Sequence, residues 1–173
     1  MPDHRPTGSR SRMGRNLAVI GAGVAACAAV GSLLTDPDGS WYEKLKKPSW
    51  QPPKAAFPIV WTSLYAIITI SAARTVTGLE AQGRHAEASG FKRELASNLM
   101  LNAGWSGLFF RAHNLPAATA GAAALAASSA KLARRAASVG VGPALGLGLY
   151  AAWCAFATAL SGAVAELNRD DQE

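Results

Sequence analysis

The sequence predicts an all-α integral membrane protein, a bundle of five transmembrane helices, and three observations carry that prediction. Half of the 173 residues are hydrophobic and only 16% are charged, too few to coat a soluble domain of this size. The charges are also segregated, crowding into 1–15, 36–54, 80–94, 131–135 and 166–173. Between them lie five apolar windows of 16 to 23 residues, close to the ~20 that cross a hydrocarbon core ~30 Å thick. A soluble bundle would need helices with broad polar stripes, and no window has one.

Residues 1–15 (MPDHRPTGSRSRMGR) have almost no apolar content and read as a disordered basic tail that can lie on anionic headgroups. The membrane domain is then 16–168, followed by a short polar tail, 169–173. The Arg-rich start and Val24-Ala25-Ala26-Cys27 resemble a signal peptide with a lipid-modification box. The apolar run continues to Leu34, however, where a mature lipoprotein would turn polar, so 17–34 is read as the first span. Its Gly21, Gly23, Ala26 and Gly31 admit a close helical neighbour.

The second span, 57–77, opens at Phe57-Pro58, where a proline in the first turn costs no hydrogen bond. Residues 78–93 are polar with three glycines and read as a plain connection. The third span, 95–110, is short and must borrow Glu94 or Arg111 by snorkelling; it carries Asn102, Trp105 and Ser106. His113-Asn114-Leu115-Pro116 ends it and starts the fourth, 115–130, the weakest because alanine contributes little to insertion. In the fifth, 143–165, Tyr150, Trp153 and Phe156 share one face by helical spacing, a stripe that ordinary packing also produces.

Eleven Lys and Arg fall on the side of the N-terminus and six on the other, which by the positive-inside rule puts the N-terminus in the cytoplasm. A net charge of +6 reflects this topology rather than a phosphate footprint, so no nucleic-acid partner is expected. Cys27 and Cys154 lie inside spans as small packing residues. His4, His85 and His113 lie in the tail, a connection and a turn, so no metal site is expected. No window has an ionisable residue near its centre, which counts against a proton-driven pump, and no Ser–His–Asp or paired-carboxylate arrangement can be assembled.

The most informative stretch is Trp41–Tyr65, WYEKLKKPSWQPPKAAFPIVWTSLY. Trp41, Trp50 and Trp61 supply flat apolar faces, while Pro48, Pro52, Pro53 and Pro58 fix the backbone, so no continuous helix precedes Phe57. It reads as the rim of a membrane-embedded cavity for a large, flat, amphipathic ligand. Lys44, Lys46 and Lys47 stand where they can meet acidic groups of such a ligand, although solvated loop lysines are commoner.

From Gly31 to Asn168 the chain resembles the TspO/MBR family, the translocator proteins or peripheral-type benzodiazepine receptors. The resemblance rests on four blocks in order: Trp41-Tyr42-x-x-Leu45-x-Lys47-Pro48-x-Trp50-x-Pro52-Pro53; Val60-Trp61-Thr62-x-Leu64-Tyr65; Leu101-Asn102-x-x-Trp105-Ser106-x-x-Phe109-Phe110; and Tyr150-x-x-Trp153-x-x-Phe156-Ala157. It implies a five-helix bundle, usually a homodimer, that binds tetrapyrroles and sterol-like or drug ligands under the first loop and needs no cofactor. The implied ligand-binding residues are Trp41, Trp50, Trp61, Tyr65, Asn102, Trp105, Tyr150, Trp153, Phe156 and Ala157, capped by Lys47, Pro48, Pro52 and Pro53. Protoporphyrin IX or haem would be a ligand, and the role the resemblance implies is that of a receptor or sensor in porphyrin transport, scavenging or regulation, in a bacterial cytoplasmic membrane. Two alternatives stay open. Trp61 and Trp153 match two indoles proposed in some bacterial members to support light- and oxygen-dependent degradation of protoporphyrin, and a sterol or lipid carrier would use the same fold. Three departures from the family pattern stand out: Asn98 for Gln, Leu149 for the Pro before Tyr150, and Ser161 for Asn. The residues after Tyr150 also lack the cation of a cholesterol motif.

Overall fold

A computed structural model describes residues 7–169, with side chains from residue 10 onward. The described residues form six helices and no strand: α1 (Thr7–Leu34), α2 (Ser40–Lys44), α3 (Ala56–Ala81), α4 (His85–Phe110), α5 (Leu115–Ala137) and α6 (Val141–Leu167). The proline-rich stretch does break the chain as its composition requires. α2 is a single short helix, and α3 starts only at Ala56.

The five long helices close a ring in the order α1, α3, α6, α5, α4, and α3 also touches α4 and α5 across the middle. The core along this ring is apolar and tight, with Ile68, Val76, Phe91, Leu132, Leu147 and Tyr150 all out of reach of solvent. Where α3 crosses α6, a Cβ on Gly146 would lie 2.1 Å from Ser71 Oγ and 3.2 Å from Ile67 Cγ2, so the crossing depends on a residue with no side chain. α6 runs unbroken through Leu149, which points outward, 60% exposed. Three helices are long and apolar enough to cross a membrane: α1 from Arg10, α3 and α6. α4 and α5 match them in length but are diluted by Asn98, Asn102 and Ser106 in one and by alanine and glycine in the other.

Two sequence-based boundaries need correction. The basic tail of 1–15 is helical from Thr7, because α1 continues past the apolar window and finds partners at the end of α3: Met13 packs on the core, and Asn16 Nδ2 donates to Thr77 Oγ1 at 3.0 Å and Glu80 Oε2 at 3.1 Å. The connection expected over 78–93 shrinks to a turn at 82–84, with Gly83 in the left-handed region at φ 74°, and the rest is the end of α3 and the start of α4. The expected behaviour of residues 1–6 and 170–173 lies outside the described residues.

Candidate functional site

The aromatic residues gather where α1 ends and α3 begins, the end of the bundle that carries α2. They form two joined ring clusters. Around α3 and α6, Trp61 packs on Tyr65 at 5.6 Å and edge-on to Tyr150 at 6.4 Å, Phe57 meets Trp153 at 6.2 Å, Trp153 meets Phe156 at 5.1 Å, and Trp50 reaches down from the loop to Phe156 at 5.8 Å. Around α2 and α4, Trp41 sits edge-on to Phe109 at 5.7 Å and Trp105 stacks on Phe109 at 5.4 Å. Phe57, Phe156 and Trp105 border one apolar cluster and join the two groups. The expected stripe on α6 therefore faces the site, with Ala157, half-buried, beside Phe156.

Most polar atoms here are paired, and two are not. The indole N–H groups of Trp105 and Trp153 are buried without a hydrogen-bond acceptor. A buried donor left unpaired costs ~1–3 kcal/mol, so a site that keeps two of them is poised toward an acceptor.

Beneath the rings a chain of side chains crosses the bundle. Tyr65 Oη donates to Asn102 Oδ1 at 3.2 Å, Asn102 Nδ2 donates to Tyr150 Oη at 3.1 Å, Tyr150 Oη donates to Asn98 Oδ1 at 2.9 Å, and Asn98 Nδ2 reaches the Ser128 and Ser129 hydroxyls at 3.0 Å each. Asn102 thus ties helices together, as its mid-span position suggests, and Tyr150 forms the floor behind Trp61. Asn98, one of the departures from the family pattern, is an integral link of this chain.

The loop that covers the rings is fastened at three points. Asn168 Oδ1 accepts from the Lys46 backbone N–H at 2.9 Å while its Nδ2 donates to the Lys46 carbonyl at 2.9 Å, a two-sided strap between the loop and the end of α6. Trp41 stacks on the His113 ring at 4.1 Å and 16°, with His113 itself held at φ 52° in the α4–α5 turn. Lys47 turns inward, its ammonium donating to the carbonyls of Tyr42 at 2.5 Å and Leu45 at 3.1 Å and lying over the Tyr42 ring. It therefore closes the C-terminal end of α2, where a cation is favourable, rather than reaching outward for a ligand carboxylate. Burial lowers the Lys47 pKa, with the Lys54 cation adding and Glu43 opposing. Burial likewise pushes the Tyr42 phenol up, against the pull of the Gln51 amide and Lys54. Pro48 and Pro53 set the loop's two turns, their carbonyls accepting from Gln51 at 3.0 Å and Ala56 at 2.9 Å, while Pro52 packs half-buried between them.

Sequence reasoning missed Asn168 and His113 as positioning residues. The Asn168–Lys46 strap spans 122 positions, and no local pattern announces it.

Comparison with known proteins gives the same direction. A family model described as TspO/MBR family matches residues 18–167. Protein CrtK of Rhodobacter capsulatus is 40% identical over 52% of this chain and 54% of its own length, and a tryptophan-rich sensory protein of Cereibacter sphaeroides is 42% identical over 50% and 51%. The chain thus spans about half the length of these two relatives. An uncharacterized membrane protein of Bacillus subtilis, YtaB, is 35% identical over 88% of this chain and 95% of its own. With its family model running from the first long helix to the last, and its aromatic residues gathered at one end of an all-helical bundle, this membrane protein belongs to the TspO/MBR family.

Proposed function

We propose that this chain is a membrane sensor or receptor that binds a tetrapyrrole, protoporphyrin IX or haem, among the rings at its α2 end, as part of porphyrin transport, scavenging or regulation. The observation that carries the reading is the pair of buried, acceptor-less indole donors of Trp105 and Trp153 set within a wall of aromatic faces. A planar macrocycle offers faces to stack on Trp61, Trp153 and Phe156, and its peripheral acceptors would satisfy the two N–H groups. The rings rest against one another, so entry requires the loop to swing. Trp50, 49% exposed between the Pro48 and Pro53 turns, is the ring placed to move first. The sensory name borne by the Cereibacter sphaeroides relative supports the receptor side of this reading.

In the same reading all five long helices cross the membrane, with the N-terminus in the cytoplasm, and the chain works as a homodimer. α5, the shortest of the five at 23 residues, is about 35 Å long at ~1.5 Å per residue, and it closes the ring between α4, of 26 residues, and α6, which is itself apolar enough to span.

The test is titration of the detergent-purified protein with protoporphyrin IX, read by tryptophan quenching in the native chain and in Trp61→Phe, Trp153→Phe and Trp50→Phe. Saturable quenching weakened by the α3 and α6 substitutions is the expected result; linear quenching identical in all variants overturns the reading. Repeating the titration under illumination separates sensing from degradation. Loss of porphyrin absorption that Trp61→Phe or Trp153→Phe abolishes while binding persists would make the site an enzyme.

A further inference from the structure

A second site lies at the opposite end of the bundle, on its outer surface. Between α4 and α5 the surface there holds a groove of about 420 Å³, lined by Arg93 and Ser97 on one side and Ala127, Ser128, Lys131 and Arg134 on the other. The one carboxylate in its wall, Glu94, is already matched by two cations, Lys131 at 2.9 Å and Arg135 at 2.9 Å. Arg93 and Arg134 are exposed and have no carboxylate partner among the described residues. Ser128 Oγ accepts from Asn98 and keeps its own proton to donate. The groove therefore presents two unmatched guanidinium groups and a hydroxyl donor, a set that fits a phosphodiester.

Its other half is apolar. Ala127 lines the groove, and one helical turn further along the same faces Met100, 76% exposed, and Ala124 stand bare. Arg93 and Arg134 flank the apolar windows 95–110 and 115–130, the level at which a headgroup meets the acyl region. We infer that this groove seats one anionic phospholipid from the leaflet at the N-terminal end of the bundle, its phosphate between Arg93 and Arg134 and an acyl chain along Ala127 and Met100. A free phosphate would gain nothing from the apolar half, and a second copy of this chain would set two unmatched arginine pairs against each other.

Native mass spectrometry of the full chain in detergent, with phosphatidylglycerol, phosphatidylcholine of the same acyl chains, or inorganic phosphate added, tests it. One phosphatidylglycerol retained per chain, about tenfold in preference to phosphatidylcholine, is expected, with the preference lost in Arg93→Gln/Arg134→Gln. Ala127→Trp fills the apolar half with every charge intact and should displace the lipid too, while Lys44→Gln at the far end should not. Equal retention of both lipids, a preference unchanged in the double variant, or displacement of phosphatidylglycerol by millimolar inorganic phosphate would overturn the inference. So would retention in Ala127→Trp equal to that of the native chain.

Discussion

The two ends of the bundle solve the burial of polar groups in opposite ways. At the end where α3 turns into α4, Glu80, 9% exposed, is surrounded by donors: Asn16 at 3.1 Å, Lys92 at 3.3 Å and Arg15 at 3.5 Å, which join α1, α3 and α4. At the α2 end the interior is ring against ring, and two indole donors have no acceptor. The first end gains from being held in one arrangement. The second retains uncompensated donors among aromatic faces, the two features on which the proposed tetrapyrrole site rests. Between them the Tyr65–Asn102–Tyr150–Asn98 chain fixes the helices, so movement at one end need not loosen the other.

The largest effect is expected where the ends share a seam. Gly146→Leu puts a branched side chain where even a Cβ would meet Ser71 Oγ at 2.1 Å, forcing α3 from α6 and costing ~3 kcal/mol. Thermal unfolding in detergent should show it, and porphyrin quenching should weaken in the same variant because Trp61 and Trp153 sit on these two helices. A variant as stable as the native chain would mean that the crossing has slack and the ends are not coupled through it.

The contrast itself is tested by a matched pair. Glu80→Leu strands the donor cluster and should cost ~1–2 kcal/mol, discounted because Lys92 and Arg15 are partly exposed and can turn to solvent. Trp105→Phe removes a donor that makes no hydrogen bond, so stability should hold or rise slightly while porphyrin affinity falls. If Trp105→Phe destabilises as much as Glu80→Leu, the indole has a structural partner and the two ends are not different in kind.

The loop strap comes next. Asn168→Ala removes both hydrogen bonds to Lys46 at a cost of ~1 kcal/mol, and the sharper readout is trypsin cleavage after Lys46, which should quicken several-fold while cleavage after Arg84 stays constant. Equal acceleration at both sites would point to global rather than loop-confined opening.

The legibility of the chain divides along the same line. The aromatic end could be read from the sequence because its chemistry is local: indoles and prolines within 25 positions, and a Tyr150–Trp153–Phe156 stripe that helical spacing alone puts on one face. Apolar windows located the five long helices for the same reason. They misplaced the other end because hydropathy reports where hydrocarbon begins, not where a helix stops. Arg10 to Arg15 continue α1 beyond the window, and residues expected as a connection carry Glu80 and Arg93 into buried or groove-lining positions. The Asn168 strap and the His113 stack were invisible because each depends on a tertiary neighbour far away in sequence.

The smallest effect separates the ends by pH, through one exposed ion pair at each. Near the α3–α4 turn, Glu87 is held below the usual carboxylate range by hydrogen bonds from Arg84 at 2.7 Å, with Arg135 adding to the pull. A lowered carboxylate contributes stability above its unfolded pKa and loses it as pH falls through the folded value. On the loop, Lys54 is raised above its ordinary value, first by its hydrogen bond to Asp38 at 3.0 Å, so its contribution is complete below the unfolded lysine pKa and disappears as pH rises through the folded one. Melting curves of Glu87→Gln and Lys54→Gln against the native chain should therefore converge with it at opposite extremes, Glu87→Gln in acid and Lys54→Gln in alkali, with small constant differences between. Both side chains are about half exposed, at 51% for Glu87 and 47% for Lys54, so salt should shrink both differences together. A Lys54→Gln difference that survives in strong salt would mean the loop is tied down by more than its strap, its stack and its α2 cap.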